Sequence, residues 1–133
     1  MFDNMLNIVF FIAAASLVIF MVANAFGFGP GGPDADERQE AKTALAEEEA
    51  ELIDVRTPRE YDDNGLDGAK NIPLQQISNR LDKVGNRDEP VVLYCRSGNR
   101  SAQAADILEE NGFDEIYDLG AHRTAKQVVE ETR

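Results

Sequence analysis

"VVLYCRSGNRSAQAADIL", residues 91–108, decides how this chain is read. Apolar residues from Val91 to Tyr94, opened by Pro90, run without a break into the turn "CRSGNR". A short apolar run of this kind predicts a buried strand, with the proline confined to its first position. "SAQAADILEENG" then predicts a helix, closed by Asn111-Gly112 as a left-handed C-cap. A strand feeding directly into a helix is half of the repeating unit of a parallel sheet. The only cysteine, Cys95, stands at the junction of the two.

Working outward, the same alternation recurs. "ELIDV" (51–55) predicts a second strand, and "TPREY" opens a helical turn. There Thr57 is the N-cap, Pro58 holds the first helical position and Glu60 completes a capping box. "NGLDG" has turn chemistry and "AKNIP" is a brief extended segment. Leu74, Ile77, Leu81 and Val84 recur at helical spacing and mark one buried face. "FDEIYDL" reads as a strand, while "RQEAKTALAEEEA" and "AHRTAKQVVEETR" read as helices. The pattern predicts an α/β fold, a small parallel sheet covered by helices on both faces. In such sheets ligands bind outside the carboxyl ends of the strands. Cys95 occupies one of those ends.

Composition narrows the function. The 133 residues suit one domain with accessory segments. With 25 acidic against 13 basic residues the net charge is -12, which argues against nucleic acid or an anionic lipid surface as partner. A single cysteine excludes an internal disulfide and any multi-cysteine metal site. A lone histidine, His122, leaves too few ligands for a protein metal cage. Asp62 and Asp63, adjacent on a short turn, read as solvated charges rather than a metal pair. No resident metal ion is expected from this composition.

Residues 6–28, "LNIVFFIAAASLVIFMVANAFGF", contain no charged residue. At about 1.5 Å per residue they would reach about 34 Å, enough for a hydrocarbon core of about 30 Å. The expectation is one transmembrane helix ahead of the soluble domain. The alternative is a cleaved secretory signal using Ala23-Asn24-Ala25, although the leader "MFDNMLN" lacks the usual basic residues. Arg38 and Lys42 lie on the C-terminal side, which favours a cytoplasmic domain for the anchored form. The cleaved form would be periplasmic. The expected organisation is an anchor or signal at 1–28, a Gly/Pro-rich acidic linker at 29–38 and the domain at 39–133.

The turn after Cys95 is suited to an anion. Gly98 permits a positive φ, and successive amides in such a turn converge into an anion-binding nest. The following helix adds its unpaired N-terminal donors, and Arg96 and Arg100 add permanent charge. Such a field favours the thiolate, making Cys95 the candidate nucleophile. An inert buried cysteine is the plainer alternative. The two arginines, the glycine and the helix weigh against it.

"LIDVRTPREYDDNGLDGAKNIPL" together with "VVLYCRSGNRSAQAADILEENGFDEIYDLGA" resembles the rhodanese family of sulfurtransferases in its single-domain form. The resemblance implies that the Cys95 thiolate takes the outer sulfur of an anionic donor such as thiosulfate, releasing sulfite. A thiol or acceptor protein then removes the sulfur from the persulfide, and no organic cofactor is implied. Arg96, Ser97, Gly98, Asn99 and Arg100 are the implied substrate-binding residues: their amides cradle the persulfide, and both guanidiniums bind the donor's oxygens. Cysteine phosphatases place five residues between cysteine and arginine; four separate Cys95 from Arg100, and position 101 is serine. That shorter ring favours sulfur over phosphate. A non-catalytic binding or regulatory module at the membrane is the further alternative, although degenerate modules usually lose the cysteine.

The sequence departs from the family pattern at two places. Asn64-Gly65 stands where Gly-His is usual, and Gly120-Ala121-His122 stands where a Gly-Gly turn is followed by tryptophan, which this chain lacks. His122 and Arg123 therefore fall near the expected mouth of the site, with a surface role the simpler assignment for the histidine. Asp54 and Arg56 are expected to form an internal polar contact that supports the loop.

Overall fold

The computed structural model describes residues 32–47 and 50–133. The apolar stretch at 6–28, and with it the expected transmembrane helix, lies outside the described residues. Among those that are described, no helix is long and apolar enough to cross a membrane.

Residues from Gly32 to Arg133 form one compact unit. In chain order it comprises α1 (Ala35–Ala46), β1 (Glu51–Asp54), α2 (Pro58–Asn64), β2 (Lys70–Asn71), α3 (Leu74–Ile77) and α4 (Leu81–Val84). It continues through β3 (Val91–Cys95), α5 (Asn99–Glu110), β4 (Ile116–Ala121) and α6 (His122–Thr132). The sheet order is β2-β1-β3-β4, and every pair is parallel. β3 is thus internal, and all five of its residues are buried. This is why it reads as an unbroken apolar run.

Side chains alternate along β3 and divide the core into two layers. Val91, Leu93 and Cys95 join Ile53, Val55, Leu108 and Phe113 on one face. Val92 and Tyr94 join Leu52, Leu119, Ala125 and Val128 on the other. Helix α5 packs on the first face, and α1 and α6 on the second. Strand parity therefore turns Cys95 toward α5.

Local signals set the boundaries. Helix α1 starts at Ala35, earlier than the Ala-rich run beginning at Arg38 suggests, because Asp34 caps it by accepting from the Glu37 amide at 2.8 Å. The capping box of α2 forms as its sequence predicts. The expected face of Leu74, Ile77, Leu81 and Val84 exists, but on two short helices. Turn hydrogen bonds from Asn79 and Arg80 break the helix between them. The last strand begins at Ile116, later than "FDEIYDL" suggests. Phe113 instead closes α5: its amide donates to the Leu108 carbonyl, the Gly112 amide donates to Glu109, and its ring is buried in the core.

Candidate functional site

Cys95 is the last residue of β3, and the chain reaches α5 within a few residues. Gly98 makes that turn possible with φ 102° and ψ -16°, a conformation that side-chain-bearing residues rarely adopt. Its amide then donates to Cys95 Sγ at 3.0 Å. Ser101, in the first turn of α5, has its Oγ 3.5 Å from the same sulfur and donates to the Gly98 carbonyl at 3.1 Å. Cys95 and Ser101 are both fully buried. Burial by itself would push the thiol up. The Ser101 hydroxyl and the amides of Ser101, Gly98 and Ser97 outweigh it and hold the thiol below its ordinary value.

The six loop residues separate into different roles. Arg96, Ser97 and Asn99 are exposed, and Gly98 and Arg100 are half-buried. Arg96 has no hydrogen bond or ion pair to another described residue. Arg100 is committed to a protein partner: its two terminal nitrogens donate to the Glu60 carboxylate at 2.7 and 2.9 Å. The Arg100 hydrogen bonds, aided by those from Thr57, hold Glu60 at about 2 although burial opposes them. Of the two guanidiniums expected to face a donor, that of Arg100 has both terminal nitrogens engaged by Glu60, whereas that of Arg96 is unengaged among the described residues.

Ser101 is the contact that sequence reasoning did not assign. Its signal was a hydroxyl in the first turn of the helix whose N-terminus faces the thiol, directly after Arg100.

Behind the loop lies a buried polar support. Arg56 pairs with Asp54 through Nε and one terminal nitrogen, at 2.8 to 3.0 Å, and both side chains are buried. The other terminal nitrogen donates to Asn64 Oδ1 at 2.7 Å, and the guanidinium lies 5.6 Å from the Tyr94 ring centroid. Tyr94 in turn accepts from the Leu66 amide through its hydroxyl at 3.1 Å. The expected Asp54–Arg56 contact thus braces the residue that precedes Cys95. His122 lies against the same cluster: its Nε2 is 2.8 Å from the Asn64 carbonyl, and its ring is tilted against Tyr94 at 5.8 Å. Asp62, Asp63 and Arg123 are exposed.

The end of β4 completes the surroundings. Gly120, at φ 66°, faces Gly98 so closely that a Cβ on Gly98 would lie 3.5 Å from the Gly120 Cα. The Gly120 amide donates to Asp118 Oδ1 at 2.9 Å, and the Asp118 amide donates to Glu37 Oε1 at 3.1 Å. Helix α1 therefore reaches the back of the Cys95 loop through β4.

The sequence and fold that carry this cysteine are similar to those of known proteins. The rhodanese-like domain family matches residues 37–121, most of the described unit. The chain belongs to the rhodanese-like domain family. Within it, an uncharacterized Bacillus subtilis protein, YqhL, is 37% identical over 122 residues, covering 86% of this chain and 88% of its own. The Escherichia coli thiosulfate sulfurtransferase PspE is 38% identical over 69 residues, covering 51% of this chain and 66% of its own. A solved structure described as a rhodanese with anions from E. coli superposes with a TM-score of 0.54 at 34% identity, covering 56% of this chain and 89% of that one. These relatives include proteins named thiosulfate sulfurtransferases, and the parallel sheet with flanking helices is the fold shared with the solved E. coli rhodanese.

Proposed function

We propose that this protein is a sulfurtransferase that carries sulfane sulfur as a persulfide on Cys95. The observation that carries the reading is the Gly98 amide donating to Cys95 Sγ at 3.0 Å, with the Ser101 hydroxyl beside it. Donors fixed around sulfur stabilise negative charge there without reorganising during the reaction. The thiolate attacks the outer sulfur of an anionic donor. A Cys95–sulfur bond forms, the donor's sulfur–sulfur bond breaks, and from thiosulfate the electron pair leaves with sulfite. An acceptor thiol or protein then attacks the outer persulfide sulfur and returns the Cys95 thiolate, a ping-pong cycle through a covalent intermediate.

Thiosulfate is the first donor to consider, because relatives such as PspE carry that substrate in their names. Arg96 is the exposed cation available to its oxygens. Cys95 is fully buried, so its surroundings must open for the donor to reach Sγ. Tethering to a membrane through residues 6–28 is part of the proposal on the uncharged length of that stretch, and a cytoplasmic domain on Arg38 and Lys42 at its C-terminal side. Alkaline carbonate extraction of membranes tests it: release of the full-length chain into the supernatant counts against an anchor.

Incubating the purified protein with thiosulfate and measuring its intact mass tests the chemistry. Sulfur transfer predicts a gain of one sulfur atom that cyanide removes and that Cys95→Ser never shows. No gain from thiosulfate, persulfide or thiosulfonate donors would overturn the proposal.

A further inference from the structure

We infer that Glu60 is a specificity-determining residue of the Cys95 site. By cancelling the Arg100 charge it tunes the site toward sulfur donors with one negative charge, such as a thiosulfonate, over dianionic thiosulfate. This rests on the reading of Cys95 as the sulfur carrier and adds the donor charge that the site admits.

The Glu60–Arg100 pair stands where a donor must arrive. In the order β2-β1-β3-β4, β1 leads on to one edge of the sheet and β3 to the other, so the topology switches between them. Ligands of parallel sheets bind in the crevice outside the strand ends at such a point. The two strands run side by side, with Asp54 beside Tyr94. Beyond β1 the chain enters α2 through the Thr57 cap, and beyond β3 it enters α5 through the Cys95 loop. Glu60 in the first turn of α2 and Arg100 in the first turn of α5 join these two segments, at 2.7 and 2.9 Å. Arg100 is two residues past Gly98, whose amide reaches Cys95 Sγ at 3.0 Å, and adjoins Ser101, whose Oγ is 3.5 Å from that sulfur. Each side chain of the pair is 27% exposed, so both charges meet the solvent from which a donor comes.

Glu60 is not a loose counter-ion. Its Oε2 also accepts from the Thr57 amide at 2.9 Å and the Thr57 hydroxyl at 3.0 Å, so the helix cap holds the carboxylate in place independently of Arg100. A donor oxygen brought onto Arg100 would therefore sit beside a fixed negative charge, and the repulsion grows with the charge on the donor. The loop from Cys95 to Arg100 has two cations, Arg96 and Arg100. Arg96 has no ion pair among the described residues and Arg100 has one, which leaves one uncancelled positive charge. A single cation matches a donor of single charge. With a thiosulfonate the step is the same as with thiosulfate: the Cys95–sulfur bond forms, the donor's sulfur–sulfur bond breaks, and the electron pair leaves with the sulfinate.

Two ratios measured on the full-length protein test this, and the thiolate content cancels in each. The first compares Cys95 alkylation by anionic iodoacetate with that by neutral iodoacetamide, and needs no sulfur donor. The second compares kcat/KM for dianionic thiosulfate with that for monoanionic methanethiosulfonate, with cyanide as acceptor. Glu60→Gln removes the charge and keeps a residue that completes a capping box. It is expected to raise both ratios by about threefold, the effect of one unit charge across about 6 Å of water. The rise should fade in about 1 M salt. Glu110→Gln removes an equal charge about 15 Å along α5 from Arg100 and should leave both ratios unchanged. A ratio unchanged in Glu60→Gln overturns the inference, and so does an equal rise in Glu110→Gln. Should Glu60→Gln fail to fold, the double variant with Arg100→Gln decides. Its alkylation ratio should equal that of wild type, because a cancelled pair has been removed, and a ratio about threefold lower overturns the inference. If neither donor transfers sulfur while the alkylation ratio shifts, the sulfurtransferase reading alone falls and the selection by charge stands.

Discussion

Arg100 and Glu60, forty residues apart in the chain, form a two-point ion pair at 2.7 and 2.9 Å that ties the Cys95 loop to the first turn of α2. The same carboxylate accepts from the Thr57 amide and hydroxyl, so one side chain serves both the helix cap and the loop. Glu60 sits at about 2 against an ordinary value of 4.5. A depressed carboxyl contributes stability that is complete above the ordinary value and is lost as pH falls through the folded one. Wild type should therefore lose stability between about pH 4.5 and 2 more steeply than Glu60→Gln, which should also be less stable at neutral pH. Urea unfolding at a series of pH values measures both. Parallel curves would mean that the pair contributes nothing to folding.

With Arg100 held by Glu60, the proposed sulfur transfer assigns the donor's oxygens to Arg96. A hydrogen bond to a charged group contributes about 1.5–3 kcal/mol, and each 1.4 kcal/mol is about tenfold. Arg96→Ala is expected to raise the KM for thiosulfate by about tenfold or more, with a smaller change in kcat, and Arg96→Lys should recover part of the loss. Initial rates at varied donor concentration would show this split. A fall in kcat at constant KM would instead assign Arg96 to the transition state.

Much of this site was legible in the sequence because its local signals agree with the fold. The apolar run into Cys95 gave an internal strand, and Thr57-Pro58-Arg59-Glu60 gave a capping box that forms as written. What could not be read was long-range. A capping glutamate carries no mark that it will also bind Arg100, because local pattern is blind to a partner forty positions away. The joining of Asp118 to Glu37 across 81 positions is hidden for the same reason. The false start of the last strand has a local cause: Phe113 has strand character by composition, but the helix end before it captures its amide and the core takes its ring.

Gly98 joins backbone conformation to chemistry. At φ 102°, an alanine there incurs about 1–2 kcal/mol of backbone strain. Space is not the obstacle, since the nearest atom to a new Cβ is the Gly120 Cα at 3.5 Å. Relief of the strain would turn the amide away from Cys95 Sγ. Gly98→Ala should lower the melting temperature modestly and slow Cys95 alkylation at neutral pH, because the thiolate loses a donor. Intact alkylation with reduced stability would show that the amide matters for the turn and not for the sulfur.

Asp54 and Arg56 make the strongest stability prediction, because neither group has water to fall back on. Both are buried, and among the described residues no buried side-chain nitrogen or oxygen lacks a hydrogen-bond partner. Removing one member leaves a charge in the interior, at a cost of about 3–5 kcal/mol, whereas replacing both is often close to neutral. Arg56→Met strands the Asp54 carboxylate, and Asp54→Leu strands the guanidinium between Tyr94 and Asn64. Urea unfolding of the two single variants and the double variant gives the coupling. The double variant should be far more stable than the sum of the single losses implies. Additive losses would show that each residue is held by its other contacts, the Arg56 and Asn71 hydrogen bonds at the end of β1, rather than by the ion pair.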